Sequence, residues 1–336
     1  MTSNGSSESI LDVDDLTVQF RTRGPSRAVV HAVTDVSFQI APGETLGLIG
    51  ESGSGKSTVA RAVSHLAAHV GGAVMLNGRN LLDMSNKELQ RARGQEVSMI
   101  FQEPMTALDP VFTVGQQISA TFRNHQKVSK AEAKERSIEL LSEVGIPEPK
   151  RRFSEYPHQL SGGMRQRAMI AMALVCEPQL LIADEPTTAL DVTIQAQVLD
   201  LILKLTEEHG TALLLITHDL GVVAETCDRV LTMYAGQIVE QCSVEEALER
   251  PKHPYTSGLL SAIPRPGVAA EDLRSIPGRV PPPVDFPHGC RFGPRCQHFS
   301  PDCEQPQDLL ASGRDRWVRC WQHDELELPG AVPVQL

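Results

Sequence analysis

The chain has 336 residues, 41% of them hydrophobic, which suits a packed core and excludes a mostly disordered chain. Aromatics make up 4%, and 31 Lys and Arg against 42 Asp and Glu leave a formal net charge of −11. That balance argues against a base-stacking platform or a duplex-wrapping surface, so nucleic acid is not an expected partner.

In chain order, Met1–Ile10 is polar and Ser-rich and lacks the charged and apolar regions of a secretory signal. No apolar run approaches the roughly 18 residues that cross a bilayer. The expected location is therefore the cytoplasm, with any work at a membrane done by docking on another protein. Leu11–Phe20 and Val29–Ile40 alternate apolar and polar residues, as short antiparallel strands do. After a turn at Ala41-Pro42-Gly43, Thr45–Ile49 reads as a buried strand. It enters a glycine-rich loop, and a helical stretch follows from Lys56 to about Ala68. Residues 103–165 carry helical patterns, for example Lys130–Val144. Leu180–Ala183 and Ala212–Ile216 suit central parallel strands by length and flanks, and Ile194–His209 between them has helical spacing. Strand, helix, strand implies a parallel βαβ unit.

Composition shifts after about Pro251. Seven prolines fall in Pro264–Pro287, which reads as a linker or an extended wrap. Of seven cysteines, Cys176, Cys227 and Cys242 are scattered, whereas Cys290, Cys296, Cys303 and Cys320 crowd the C-terminal part with spacing C-x5-C-x6-C-x16-C. In a reducing compartment such a cluster reads as metal ligation before disulfides. Four thiolates hold either a [4Fe–4S] cluster or Zn2+, and the short C-x2-C loop of zinc ribbons is missing. His288, His298 and His323 are nearby spare ligands.

Gly50-Glu51-Ser52-Gly53-Ser54-Gly55-Lys56-Ser57-Thr58 fits G-x-x-x-x-G-K-[ST]. Glycines let such a loop curl so that backbone N–H groups face phosphate oxygens, and the following helix presents its positive end to the same anion. Lys56 is expected to reach the β- and γ-phosphates, and the Ser57 hydroxyl to ligate Mg2+. Leu180-Leu181-Ile182-Ala183-Asp184-Glu185 is an apolar strand ending in two acids. Successive strand residues point to opposite sides, so the two carboxylates serve different tasks. Asp184 is the candidate to hold Mg2+, and Glu185 to polarise the attacking water as general base.

Together these motifs resemble those of the ABC ATPase family. Leu160-Ser161-Gly162-Gly163-Met164-Arg165-Gln166-Arg167 resembles its LSGGQ signature, with Met164 where Gln is usual. Ser161, Gly162 and Gly163 would offer a hydroxyl and backbone donors to a γ-phosphate, and the family implies that this nucleotide is held by the other subunit. A plain N-cap before a helix fits the same local pattern. Gln102 resembles the Q-loop glutamine, which contacts Mg2+ and the γ-phosphate and faces the transmembrane partner. His218, in Thr217-His218-Asp219, resembles the switch histidine, and Asp191, in Ala189-Leu190-Asp191, the D-loop. Phe20 lies where the family stacks an aromatic on adenine; a core strand residue is the competing reading.

The resemblance covers roughly residues 10–325. It implies an α/β P-loop ABC ATPase domain over 10–260, with a mainly parallel core sheet, an antiparallel β subdomain and a helical subdomain at about 103–165. A Pro-rich linker and an oligopeptide-transporter-type cysteine module follow at 261–325. Phe101-Gln102-Glu103-Pro104-Met105-Thr106-Ala107-Leu108, Met164, His253-Pro254-Tyr255-Thr256 and the C-terminal cysteines look like the D-type ATPase of dipeptide and oligopeptide importers. That likeness implies a subunit at the cytoplasmic face of the membrane that binds and hydrolyses ATP. It also implies a heterodimer with an F-type ATPase, two membrane permeases and an extracytoplasmic binding protein, and favours [4Fe–4S] over Zn2+. Nickel or another small solute is the alternative cargo. A soluble ABC switch acting on DNA or ribosomes is the alternative class, against which stand the single cassette and the lack of heptads or a basic patch.

Overall fold

The computed structural model describes residues 9–21, 29–67, 71–102, 107–187, 191–262 and 275–330. The chain divides into two compact units. The first comprises Met1–Leu11, Ile40–Glu44 and Met75–Leu215; the second comprises Asp12–Gln39, Thr45–Val74 and Ile216–Leu336.

The second unit opens with strands β1 (Leu11–Arg21) and β2 (Val29–Ile40), neighbours in one sheet. Leu11 and Val13 alternate onto the buried side of β1; Asp15, at a φ of 48°, shifts the period by one residue, so that Leu16 and Val18 are the buried pair beyond it. Strand β3 (Thr45–Ile49) runs parallel to β9 (Arg229–Tyr234). Strand β10 (Gln237–Ser243) folds back on β9, and Ala235 and Gly236 take φ of 46° and 82° to make the tight hairpin between them. The C-terminal tail returns to this sheet. Strand β12 (Trp317–Val318) pairs with β10, and β11 (Leu310–Ala311) pairs with β12. Phe292 and Val318 of the tail are buried, and Tyr234, Tyr255 and Phe292 pack ring against ring with centroids 4.7–5.3 Å apart. Cysteine-bearing tail and β9–β10 hairpin thus share one hydrophobic cluster.

Helix α1 (Lys56–Val63) is shorter than its apolar spacing predicts. The Ser64 hydroxyl donates to the Ala60 carbonyl at 2.8 Å, and His65 takes a φ of 53°, which ends the helix. Ala68 lies outside the described residues.

In the first unit, strand β4 (Gly71–Leu76), which begins in the second unit, turns into β5 (Arg79–Asn80). Helix α2 (Asn86–Gln95) leads to β6 (Val97–Ile100), which runs parallel to β7 (Leu180–Asp184). Three helices, α3 (Val114–His125), α4 (Lys130–Glu143) and α6 (Gly162–Leu174), pack on one another, with the short α5 (Pro149–Arg152) against α4. Helices α2, α3 and α4 each begin with a capping box, at Ser85/Glu88, Thr113/Gln116 and Ser129/Glu132. Helix α7 (Val192–His209) connects β7 to its neighbour β8 (Ala212–Ile216), and every residue of both strands is buried. This matches the strand, helix, strand pattern of the sequence. The second unit also holds helices α8 (Leu220–Thr226), α9 (Val244–Glu249) and α10 (Pro254–Ser261).

Candidate functional site

In the second unit, the phosphate loop joins β3 to α1. Gly50 has a φ of 151°, and a Cβ there would sit 2.1 Å from the Met233 carbonyl oxygen. Gly55 has a φ of 108° and would meet the Ala32 carbonyl at 2.7 Å. Only glycine fits both positions. The loop is closed by Ser54 N–H donating to the Glu51 carbonyl at 3.2 Å, and it is braced by Gly236 N–H donating to the Ser54 carbonyl at 2.7 Å. Helix α1 starts at Lys56 with no side-chain cap, so its positive end faces the loop. Lys56 is buried, and its ammonium donates to the carbonyls of Gly50 at 2.7 Å and Glu51 at 3.0 Å. Ser52 and Gly53 are exposed, Ser57 and Thr58 half-buried.

His218 is exposed in the short connection from β8 to α8. Thr217 N–H donates to the Leu48 carbonyl at 3.3 Å, which ties this connection to the last turn of β3 before the loop. Asp219 caps α8 by accepting from Gly221 and Val222. Phe20 is 41% exposed on β1, so it is not a core residue and its ring is open to a partner.

In the first unit, β7 delivers Asp184 and Glu185. Asp184 is 2% exposed, and a carboxylate so buried is stabilised by a cation or by hydrogen-bond donors. Oxygen of this type is what Mg2+ takes as a ligand. Glu185 is half-buried and takes a φ of 46°, left-handed backbone that a non-glycine residue adopts at some cost and that turns its carboxylate off the strand line. Gln102 Nε2 donates to Glu185 Oε2 at 3.0 Å. Ser161 caps α6, its hydroxyl accepting from Met164 N–H at 3.3 Å, and Gly162 and Gly163 form the first turn. Gln166, buried in α6, donates to the Pro186 carbonyl and so pins the signature helix to the exit of β7. Asp191 caps α7, accepting from Ile194 N–H at 3.0 Å. Glu103–Thr106, together with Ala189 and Leu190, lie outside the described residues.

The C-terminal cysteines gather in the second unit. Burial pushes the Cys290 thiol up, Cys296 up to about 11 and Cys320 up to about 12. The four sulfurs are close enough that Cys303 adds to the rise at the other three. Donors point at the sulfurs: Trp321 Nε1 at 3.4 Å from Cys303 Sγ, and His298 N–H at 3.4 Å from Cys296 Sγ. Among the described residues, no group of three or more His, Cys, Asp or Glu side chains stands in a metal-holding arrangement. The thiol donors suit a soft metal in their chemistry, but the described side chains do not form a ligand set for one. Three contributors gain their roles only from the fold: Gln166 and Tyr255, which lie within quoted segments but are given no task there, and Arg295, which lies in none. Tyr255 OH accepts from Glu51 N–H at 2.8 Å, and Arg295 pairs with the Glu51 carboxylate at 2.6 Å. Tyr255 lies in His253-Pro254-Tyr255-Thr256, whose place beside the loop only the fold reveals.

A glycine loop capped by a helix end, a buried strand ending in two acids and a capped glycine signature define a nucleotide-triphosphatase of the P-loop class. Comparison with known proteins agrees. The family model for the ABC transporter matches residues 33–188, and that for the oligopeptide/dipeptide transporter, C-terminal region, matches 239–303. A probable peptide ABC transporter ATP-binding protein of Sinorhizobium fredii is 48% identical over 333 residues, covering 97% of this chain and 98% of its own. A putative peptide import ATP-binding protein of Brucella abortus is 50% identical over 336 residues, covering 94% of this chain and 98% of its own. Among solved structures, a dimeric post-hydrolysis state of the ATP-binding cassette MJ0796 bound to ADP and Pi aligns with a TM-score of 0.63 at 28% identity, over 70% of this chain and 98% of that one. This chain belongs to the family of peptide ABC transporter ATP-binding proteins. Among the described residues, no helix is long and apolar enough to cross a membrane.

Proposed function

We propose that the chain binds and hydrolyses Mg-ATP to power an importer of dipeptides or oligopeptides. The observation that carries this reading is that an oligopeptide/dipeptide transporter C-terminal region shares the chain with a formed phosphate loop. Gly50–Thr58 cradle the triphosphate, with the Lys56 ammonium moving from the loop carbonyls to the phosphate oxygens. Phe20 stacks on the base. Ser57, Gln102 and Asp184 hold Mg2+, which when bound neutralises phosphate charge. Glu185 accepts a proton from the attacking water, Gln102 holds that carboxylate in place, and His218 contacts the γ-phosphate. Ser161, Gly162 and Gly163 act on the nucleotide of a partner ATPase, and Asp191 is the D-loop residue.

The partner is an F-type ATPase, and the pair docks beneath two permeases at the cytoplasmic face, fed by an extracytoplasmic binding protein. Cys290, Cys296, Cys303 and Cys320 hold a [4Fe–4S] cluster, or alternatively Zn2+, that pins the tail. Purification from native membranes in gentle detergent, with co-purifying proteins identified by mass spectrometry, tests the assembly. Two permeases, a second ATPase and a peptide-binding protein are expected. Recovery with ribosomes, DNA or nothing attached would overturn it.

A further inference from the structure

Glu51 is the second residue of the phosphate loop, at a position where the loop needs only backbone. Here its side chain is engaged. Arg295 Nη1 donates to one Glu51 carboxylate oxygen at 2.6 Å and Nη2 to the other at 3.0 Å, a two-pronged pair across 244 residues of sequence. The Arg295 side chain is only 4% exposed. Its other donors are also placed: Nε to the Pro277 carbonyl at 2.8 Å and Nη2 to the Ile276 carbonyl at 3.3 Å, with Tyr234 OH 3.4 Å from Nη1. Burial opposes the guanidinium charge, but hydrogen bonds to Glu51 and Tyr234 outweigh it and hold Arg295 above its ordinary range.

The same Glu51 is gripped at its backbone, where the amide donates to Tyr255 OH at 2.8 Å. Its carbonyl accepts from Lys56 Nζ at 3.0 Å. One loop residue is therefore fixed through its amide and its carboxylate by groups outside the loop, and in turn sets where the Lys56 ammonium rests. Arg295 immediately precedes Cys296 and lies between two of the clustered cysteines.

We propose that Arg295, helped by Tyr255, is a positioning residue for the phosphate loop, so that ATP affinity depends on the C-terminal cysteine-bearing segment. Arg295 acts through Glu51 and need not touch the nucleotide. The loop is preformed for the triphosphate because Glu51 cannot swing away, and losing the Arg295 fork releases it. This rests on reading the loop as the ATP site.

The test uses the full chain and a fluorescent ATP analogue with Mg2+, measured beside the melting temperature. Arg295→Lys keeps the charge and loses the fork; Glu51→Gln keeps the shape and loses the charge. Each is expected to weaken nucleotide binding by about tenfold, with the loss falling on Kd and KM more than on kcat. The double variant Glu51→Gln/Arg295→Lys is expected to be little worse than either single one. Arg316→Lys is the control. It disturbs the other buried pair of the tail, Arg316 with Glu240 at 2.5 Å, and should lower the melting temperature while leaving Kd within about twofold. Wild-type affinity in both single variants, simple additivity in the double one, or an equal loss in Arg316→Lys would overturn the proposal. A wild-type chain that fails to bind ATP, with Lys56→Ala no different, would instead remove the ATP reading and this inference with it.

Discussion

Gln102 reaches Glu185 because β6 and β7 run parallel in register. Ile100 stands opposite Ala183, so the residue two beyond Ile100 meets the residue two beyond Ala183, and Gln102 Nε2 donates to Glu185 Oε2 at 3.0 Å. A general base needs a fixed direction as well as a charge, and this bond supplies it. The left-handed backbone at Glu185 turns the carboxylate toward that partner.

Glu185→Gln keeps the side-chain shape and a hydrogen-bonding oxygen while removing the basic group. Hydrolysis is expected to fall by at least about a hundredfold with nucleotide affinity retained. Steady-state ATPase assays and an equilibrium titration check this in a complex whose partner site is already disabled. Unchanged turnover there would end the general-base role.

Lys56→Ala removes the one loop ammonium. ATP at a hundred times the wild-type Kd is expected to stabilise the wild-type chain by about 2.7 kcal/mol and the variant by far less. The ATP-induced shift in melting temperature reads this directly. An equal shift in both chains would contradict the role of Lys56.

Gly50→Ala places a Cβ 2.1 Å from the Met233 carbonyl at a φ of 151°. The strand or the loop must move, at a cost of roughly 1–3 kcal/mol, and ATP binding is expected to fall with it. Urea unfolding measures the first effect and nucleotide titration the second.

His253 is 1% exposed, and burial, with Arg319 nearby, lowers its pKa to about 3. Its Nδ1 accepts from Tyr255 N–H at 3.0 Å and caps α10, which requires the neutral ring. The unfolded chain protonates this ring near its ordinary value of 6.5, while the folded chain does not until about 3. The unfolded state therefore binds more protons in that window. The contribution is fully present above pH 6.5 and declines as pH falls toward 3, with a slope of at most about 1.4 kcal/mol per pH unit. His253→Asn keeps an N-cap acceptor and should flatten that part of the stability profile. An unchanged slope would rule His253 out as its source.

Much of the site was legible because its parts are local. The loop is a run of consecutive residues whose glycines and lysine each have a stated task, and Asp184-Glu185 end an apolar run too short for anything but a strand. Ser161 reads as a cap in the sequence and is one in the structure, whereas the capping of α7 by Asp191 is seen only in the fold. What escaped is non-local. Nothing near Arg295 in sequence signals a carboxylate 244 residues away, and Gln166 reads as one more polar residue of a helix. The tail reads in the sequence as a linker or extended wrap followed by a cysteine cluster. Yet Phe292 and Val318 are buried and β12 extends the sheet through β10, since strand pairing is satisfied by backbone and leaves little trace in side chains. Helix α1 stops early because Ser64 turns back on its own helix, a competition that apolar spacing does not reveal.

ATP hydrolysis on this chain drives peptide import. The most direct test of this is reconstitution of the chain with its co-purified permeases and partner ATPase in liposomes, with a peptide-loaded binding protein outside. Uptake of labelled oligopeptide should require ATP and Mg2+ on the side of this chain and should fall sharply with Glu185→Gln. ATP turnover that proceeds without any peptide accumulation, or uptake indifferent to Glu185→Gln, would contradict the account.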